Sequence, residues 1–150
     1  MRYFHSRSQA GSLLAEKIKH DKSDNIAIVA LSEGGVVVGA EIAKRLHSSL
    51  YLLATEDIVL PRENEALATM TSAGTFTYNN ELSSGELNEM TSDNRPTIEQ
   101  EKQRAFQKLN RIVGKDGEIK KVLLKRHVVI LVSDAVASQQ LIDVAADFMK

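Results

Sequence analysis

Two uninterrupted apolar runs, Ile26 to Leu31 and Val128 to Val132, constrain this chain more than any other feature. A strand with one solvated face alternates apolar and polar residues; a strand covered on both faces does not, so each run predicts a buried strand of a parallel sheet. The segments around them supply the covering layers. From Ser8 to Lys19, the residues Ala10, Leu13, Leu14 and Ile18 fall on one helical face, and the polar stretch Asp21 to Asn25 stops that helix. The first run is followed by Ser32-Glu33-Gly34-Gly35, by a helix over Val37 to Leu46 with Ala40, Ile42, Ala43 and Leu46 in period, and by a second strand at Leu50 to Thr55. Strand, glycine turn, helix, strand is the unit of an α/β fold with a parallel core.

Beyond Pro61 the pattern changes. Gly74 to Tyr78 has the composition of an exposed hairpin arm, and Asn79 to Pro96 is polar, so residues 75–96 are expected to form a flexible hood or lid. Thr97 is expected to cap a helix running to Val113, with Gln100 in capping-box position and Ile98, Ala105, Phe106, Leu109, Ile112 and Val113 as its apolar stripe. Gly114 and Asp116-Gly117 end it. Gln139 to Met149 predicts a last amphipathic helix with Leu141, Ile142, Ala145 and Met149 inward.

A length of 150 residues suits one domain, residues 1–150. Nineteen basic residues against 20 acidic ones, a net charge of −1, leave no excess to draw the chain to nucleic acid or an anionic membrane. The absence of Cys excludes disulfides, thiolate zinc sites and Cys nucleophiles. The apolar runs fall far short of the roughly 18 residues that span a bilayer. Met1 to Ser8 holds no apolar signal core, so a cytoplasmic protein is expected.

In open α/β sheets ligands bind beyond the carboxyl ends of the strands, which selects two turns: Ser32 to Gly35, and Ser133 to Gln140. The glycine pair allows close backbone approach to a ligand, and equally a plain closure. Ser138 stands at a helix start, where unpaired N–H groups can cradle a phosphate or where its hydroxyl simply caps. Other candidates read as ordinary surface or packing. His5, His20, His47 and His127 lack ligand spacing, and Glu63 and Glu65 sit in a solvated loop beside Arg62. Lys120, Lys121, Lys125 and Arg126 flank Val122-Leu123-Leu124 without aromatic residues between them. Phe76 and Tyr78 suit packing of the arm better than stacking on a base, and Ser12, Ser32 and Ser133 lack a nucleophile-elbow pattern.

Together the two turns resemble those of the type I phosphoribosyltransferases, in particular the small bacterial proteins of that superfamily. Phe4, Arg7, Ala10, Gly11, Leu14 and Ala15 look like that group's opening signature, and Gly34-Gly35-Val36 like its pyrophosphate turn. Pro61 and Glu65 look like part of its segment after the second strand, and Val128 to Val132 followed by Ser133-Asp134-Ala135-Val136-Ala137-Ser138 like its phosphoribosyl-pyrophosphate (PRPP) motif. The resemblance implies a Rossmann-like fold with a hood, here without the family's C-terminal strands, and transfer of a 5-phosphoribosyl group from PRPP to a nitrogenous base with Mg²⁺. By the same resemblance Asp134 would be catalytic beneath the ribose. Ala135, Val136, Ala137, Ser138, Gln139 and Gln140 would hold the 5-phosphate, and Ser32, Glu33, Gly34 and Gly35 the pyrophosphate.

The chain departs from the family at charged positions. Ser133 stands where the first of two acids is expected, Gln139 where a glycine is, Glu33 where an arginine commonly precedes the glycines, and Glu56-Asp57 where Arg-Lys is common. Unit charges about 6 Å apart at an effective dielectric near 20 interact by about 3 kcal/mol, so one reversal swings by about 5. Micromolar binding amounts to about 8 kcal/mol in all. Mg²⁺ held by Glu33 or Asp57 would invert the argument, since carboxylates joined to substrate phosphates are ordinary magnesium ligands. The alternative to an active transferase is therefore an inactive homologue that serves as a ligand-binding or assembly module. A homo-oligomer would also cover a sheet edge left unpaired. A third reading is a generic nucleotide-binding α/β module whose similarity to the transferases is topological alone; the partner expected throughout is PRPP or another phosphorylated small molecule.

Overall fold

Every residue of β1 (Ile26–Ala30) is buried, because the strand has a parallel neighbour on each side and helical cover above. β2 (Ser49–Leu52) pairs with it in the register Ile28 to Leu50, and β6 (Val128–Val132) in the register Ile28 to Ile130. Both continuous runs thus form parallel strands, but the burial expected of both holds for β1 alone: β6 ends the strand order, with Val128 exposed, Val129 to Leu131 half-buried and Val132 buried. The expected strand Leu50 to Thr55 splits. Its first half stays in this sheet as β2, and Thr55 opens β3 (Thr55–Ile58) of a second sheet.

The computed structural model describes residues 3–114 and 119–150. The chain, read from its length as one domain, divides by its contacts into two compact units: Met1–Leu53 with Ile119–Ala137, and Ala54–Glu118 with Ser138–Lys150. It is a mixed α/β protein, with one parallel and one antiparallel three-stranded sheet among the described residues. Among the described residues no helix is long and apolar enough to cross a membrane.

In the first unit, α1 (Arg7–Lys17) and α2 (Glu33–Leu46) pack against each other, and Ile26, Ile28, Val38, Ile42 and Val132 form the core with Ala15 and Ala43. The inward face of α1 differs from the expected one. Leu13 and Leu14 are exposed, whereas Gly11 and Ala15 are buried, because the two helices approach too closely for larger side chains. α2 begins at Glu33 rather than Val37, with Ser32 as its N-cap accepting from the Gly35 N–H at 2.9 Å. Gly34 and Gly35 are therefore the first turn of a helix and not a free loop.

The second unit is built on β3, β4 (Ala68–Thr71) and β5 (Phe76–Tyr78), paired antiparallel in that order. Its helices are α3 (Ser84–Ser92), α4 (Arg95–Val113) and α5 (Gln139–Met149). α4 packs on β3 and β4, and α5 on β4 and β5. Residues 75–96, expected as a hood, contain β5 and the whole of α3. The hairpin is packed and not an exposed arm: Thr77 is buried and donates to Asp147 Oδ2 at 2.8 Å, and Asn80 donates to Asp143 Oδ2 at 2.9 Å. Phe76 meets Tyr78 edge-on with ring centres 5.1 Å apart, and Lys102 Nζ lies 4.3 Å from the centre of the Phe76 ring, so one face of Phe76 is taken by a cation.

α3 holds a reciprocal capping box. Ser83 accepts from the Glu86 N–H, and Glu86 accepts from the Ser83 hydroxyl at 2.6 Å and from the Ser83 N–H at 2.8 Å; the hydroxyl first, and then the N–H, keeps the Glu86 carboxyl below its ordinary pKa. Ser83→Ala is expected to lower stability by about 1 kcal/mol, read as a fall in the urea midpoint at unchanged slope.

α4 starts at Arg95 with Asn94 as N-cap, ahead of the expected Thr97, because Pro96 suits the first turn, where its missing N–H costs nothing. Of its expected stripe Ile98, Ala105 and Leu109 are buried, while Phe106 and Ile112 face solvent. It ends at Gly114 as expected; Asp116-Gly117 lies outside the described residues. Of the residues expected inward on α5, Ala145 is buried, while Leu141, Ile142 and Met149 are not; Val144 and Phe148 are buried with Ala145 instead.

Candidate functional site

The carboxyl end of β6 runs directly into Ser133 and Asp134, and that of β1 into Ser32 and α2, so adjacent parallel strands deliver both segments to one rim of the first unit. There Asp134 makes two contacts. Its Oδ1 accepts from the Ser32 hydroxyl at 2.8 Å and its Oδ2 from Arg7 Nε at 2.9 Å. Because the Ser32 oxygen accepts in turn from the Gly35 N–H, one chain of hydrogen bonds links the α2 backbone, Ser32, Asp134 and Arg7. Each bond polarises the next. The Ser32 hydrogen bond, and after it Arg7, holds the Asp134 carboxyl below its ordinary pKa, so the group is ionised at neutral pH.

Gly34 makes this possible. A β-carbon there would stand 1.9 Å from Asp134 Oδ2 and 2.9 Å from Arg7 Nε. A β-carbon on Gly35 would meet the Val132 carbonyl oxygen at 2.8 Å. The glycine pair is therefore used for close approach, but what approaches is the chain's own carboxylate. A helix N-terminus attracts anions through its unpaired N–H groups and dipole. At α2 that position already holds an anion, Asp134.

The remaining expected site residues are distributed as follows. Glu33 is exposed at the start of α2. Ala135 donates its N–H to Ser133 Oγ at 3.4 Å, and Val136 is fully exposed. Ala137 ends the first unit. Ser138, Gln139 and Gln140 belong to the second. Ser138 caps α5 by accepting from the Leu141 N–H at 3.2 Å, the plain role its position allowed. Gln139 donates to Asp143 at 2.9 Å, and among the described residues the buried Gln140 amide nitrogen has no hydrogen-bond partner. Glu56 and Asp57 lie on β3, where Lys108 pairs with Glu56 at 2.6 Å and the Thr69 hydroxyl donates to Asp57 at 2.7 Å.

Mg²⁺ requires near-octahedral oxygen ligands, usually from one or two carboxylates and several waters or phosphates. Among the described residues no three His, Asp or Glu side chains gather in that way. At the rim, the Asp134 carboxylate is held by a guanidinium and a hydroxyl, so the residues present do not fit a resident cation.

Arg7 is the residue that reading the two turns in isolation does not bring to the site. It reaches Asp134 across 127 positions of sequence, and its only signal is membership of the opening signature with Phe4, Ala10 and Leu14. Those residues, with Ser6, Val38 and Ser133 to Val136, line an open cleft of about 590 Å³ in the first unit. A second cleft of about 560 Å³, in the second unit, is lined by Arg62, Glu63, Glu65, Glu86, Glu89 and Asp93 among others. Glu63 and Glu65 thus share a solvated acidic surface.

No family model and no curated protein matches the chain. A solved structure, that of TT1426 from Thermus thermophilus, is similar in fold, with a TM-score of 0.66 at 24% sequence identity over 99% of this chain and 69% of that one.

Proposed function

We propose that this chain is a phosphoribosyltransferase-like protein whose sugar-phosphate grip has become a structural lock, and that it serves as a ligand-binding module rather than a transferase. The observation that carries the reading is the Asp134 carboxylate seated over Gly34, held by Ser32 and Arg7. Support for the Rossmann-like assignment comes from the parallel order β2-β1-β6 and from α2 opening directly after β1. A transferase needs a carboxylate free to follow charge developing on the ribose and donors free to receive the departing pyrophosphate. Here the carboxylate is committed to Arg7 and Ser32, and the Gly35 N–H to Ser32. Ser133, with no charge, supplies no second acid.

Titration of PRPP with Mg²⁺ by calorimetry is expected to give no heat at millimolar ligand, and incubation with purine and pyrimidine bases no base-dependent release of pyrophosphate. Ser133→Asp, which restores the acid pair in sequence, is expected to remain without turnover, because Asp134 stays locked. Base-dependent pyrophosphate release by the native chain overturns the reading in favour of phosphoribosyl transfer from PRPP.

A further inference from the structure

We infer that the cleft beside Arg7 binds an amphipathic anion, a small molecule with an apolar body and a single carboxylate. The inference rests on the binding-module reading and names the chemical class of its ligand. A cleft of about 590 Å³ falls within the size of small-molecule sites. Three of the large apolar side chains that line it lie open to solvent: Phe4 is 52% exposed, Leu14 43% and Val136 fully. Scattered exposed apolar residues are ordinary; three on one concavity form a surface able to take an apolar body.

The polar lining decides the head group. Asp134 has each oxygen engaged and its side chain is only 19% exposed, whereas that of Arg7 is 61% exposed, so the charge offered to a ligand is positive. Among the described residues Arg7 bonds through Nε alone, which leaves its two terminal nitrogens as a fork. Ser6 Oγ accepts from the Gln9 N–H, and Ser133 Oγ from the Ala135 N–H; each hydroxyl keeps its proton to donate, beside one lone pair. The exposed guanidinium fork and the two hydroxyl protons can together receive a carboxylate, and the guanidinium repels an ammonium. Asp134 also fixes the guanidinium by its Nε edge, so less side-chain freedom is lost when the fork meets an anion.

The test uses 3-phenylpropionate as probe, beside 3-phenylpropylamine with the same body and opposite charge, and propionate with the head alone. Amide chemical shifts are followed by NMR on the full chain. The expected result is saturable movement of the Arg7, Ala135 and Val136 amides with 3-phenylpropionate and at least tenfold weaker effects with the other two probes. Arg7→Gln is expected to weaken binding by about tenfold or more, the worth of a charged hydrogen-bond partner. Val136→Asp, at a fully exposed position where folding is not at stake, is expected to do the same. Equal or tighter binding of the amine, or no saturable shift up to about 10 mM of the carboxylate, overturns the inference. Either result leaves the module reading standing as long as PRPP is not turned over; turnover removes that reading whatever the probes do.

Discussion

Gly11→Val is expected to cost about 3 kcal/mol, enough to abolish or severely weaken the fold of the first unit, measured as loss of the urea transition or a large fall in its midpoint. A β-carbon at Gly11 would stand 2.5 Å from the Val38 carbonyl oxygen and 2.9 Å from the Glu41 β-carbon. The first of these is helical backbone of α2, which cannot turn aside as the end of a long side chain can. The sign of the smaller change is equally informative. Glycine to alanine inside a helix ordinarily gains up to about 1 kcal/mol, because alanine loses less backbone freedom on folding. At Gly11 steric contact outweighs that gain and Gly11→Ala destabilises. Gly85 on α3 supplies the contrast: its β-carbon would find only Ser83 Oγ, 4.0 Å away, so Gly85→Ala is expected to be neutral or stabilising. Equal effects at the two positions would show that the α1–α2 contact is looser than described.

The same contact explains which parts of the fold are legible in the sequence. β1 and β6 are, since no polar residue interrupts Ile26–Ala30 or Val128–Val132; β1 is buried throughout, whereas β6, at the end of the strand order, is only partly covered, so the continuous run there marks a paired strand and not full burial. The face of α1 is not, because helices this close bury their smallest residues and leave Leu13 and Leu14 outside, the reverse of what a hydrophobic stripe implies. Thr69, Thr71 and Thr77 mislead in the opposite direction: polar by composition, they are buried in the antiparallel sheet, where β-branched residues pack well and hydroxyls find partners such as Asp57 and Asp147. The single strand expected over Leu50 to Thr55 shows a further limit, since no local signal marks Leu53-Ala54 as the passage from one sheet to the other.

At the site, Ser32, Gly34, Gly35 and Asp134 are legible as residues at the carboxyl ends of parallel strands. Their roles are not. Whether a carboxylate after β6 meets a ligand or the chain itself depends on Arg7 and Ser32, 127 and 102 positions away, and pairwise geometry at that range leaves no periodicity to read. Ser138 is the converse case, where a phosphate turn and a plain N-cap present the same residue at the same place, and the hydrogen bond to the Leu141 N–H settles its local role as a cap.

Removing the Asp134 carboxylate separates a lock from a ribose contact more sharply than any other change. Asp134→Ala is expected to lower stability by about 2 kcal/mol at neutral pH, since it deletes an anion at the start of α2 and two charge-assisted hydrogen bonds; the exposure of Arg7 discounts its share. A carboxylate that served substrate alone would cost nothing, or its loss would stabilise. The pH dependence follows from the lowered pKa of Asp134. The unfolded chain takes up the proton at the ordinary value near 3.9, above the folded value, so the stabilisation is fully present above about pH 4 and is lost as pH falls through the folded pKa. The stability gap between native chain and variant should therefore be widest near neutrality and close in acid, as urea midpoints across that range would show. The variant also vacates the anion position over Gly34 and releases Arg7. It should bind inorganic phosphate more tightly than the native chain, whereas loss of a ribose-contacting carboxylate has no reason to improve the reception of phosphate. Weaker phosphate binding by the variant, together with unchanged stability, would return Asp134 to the substrate.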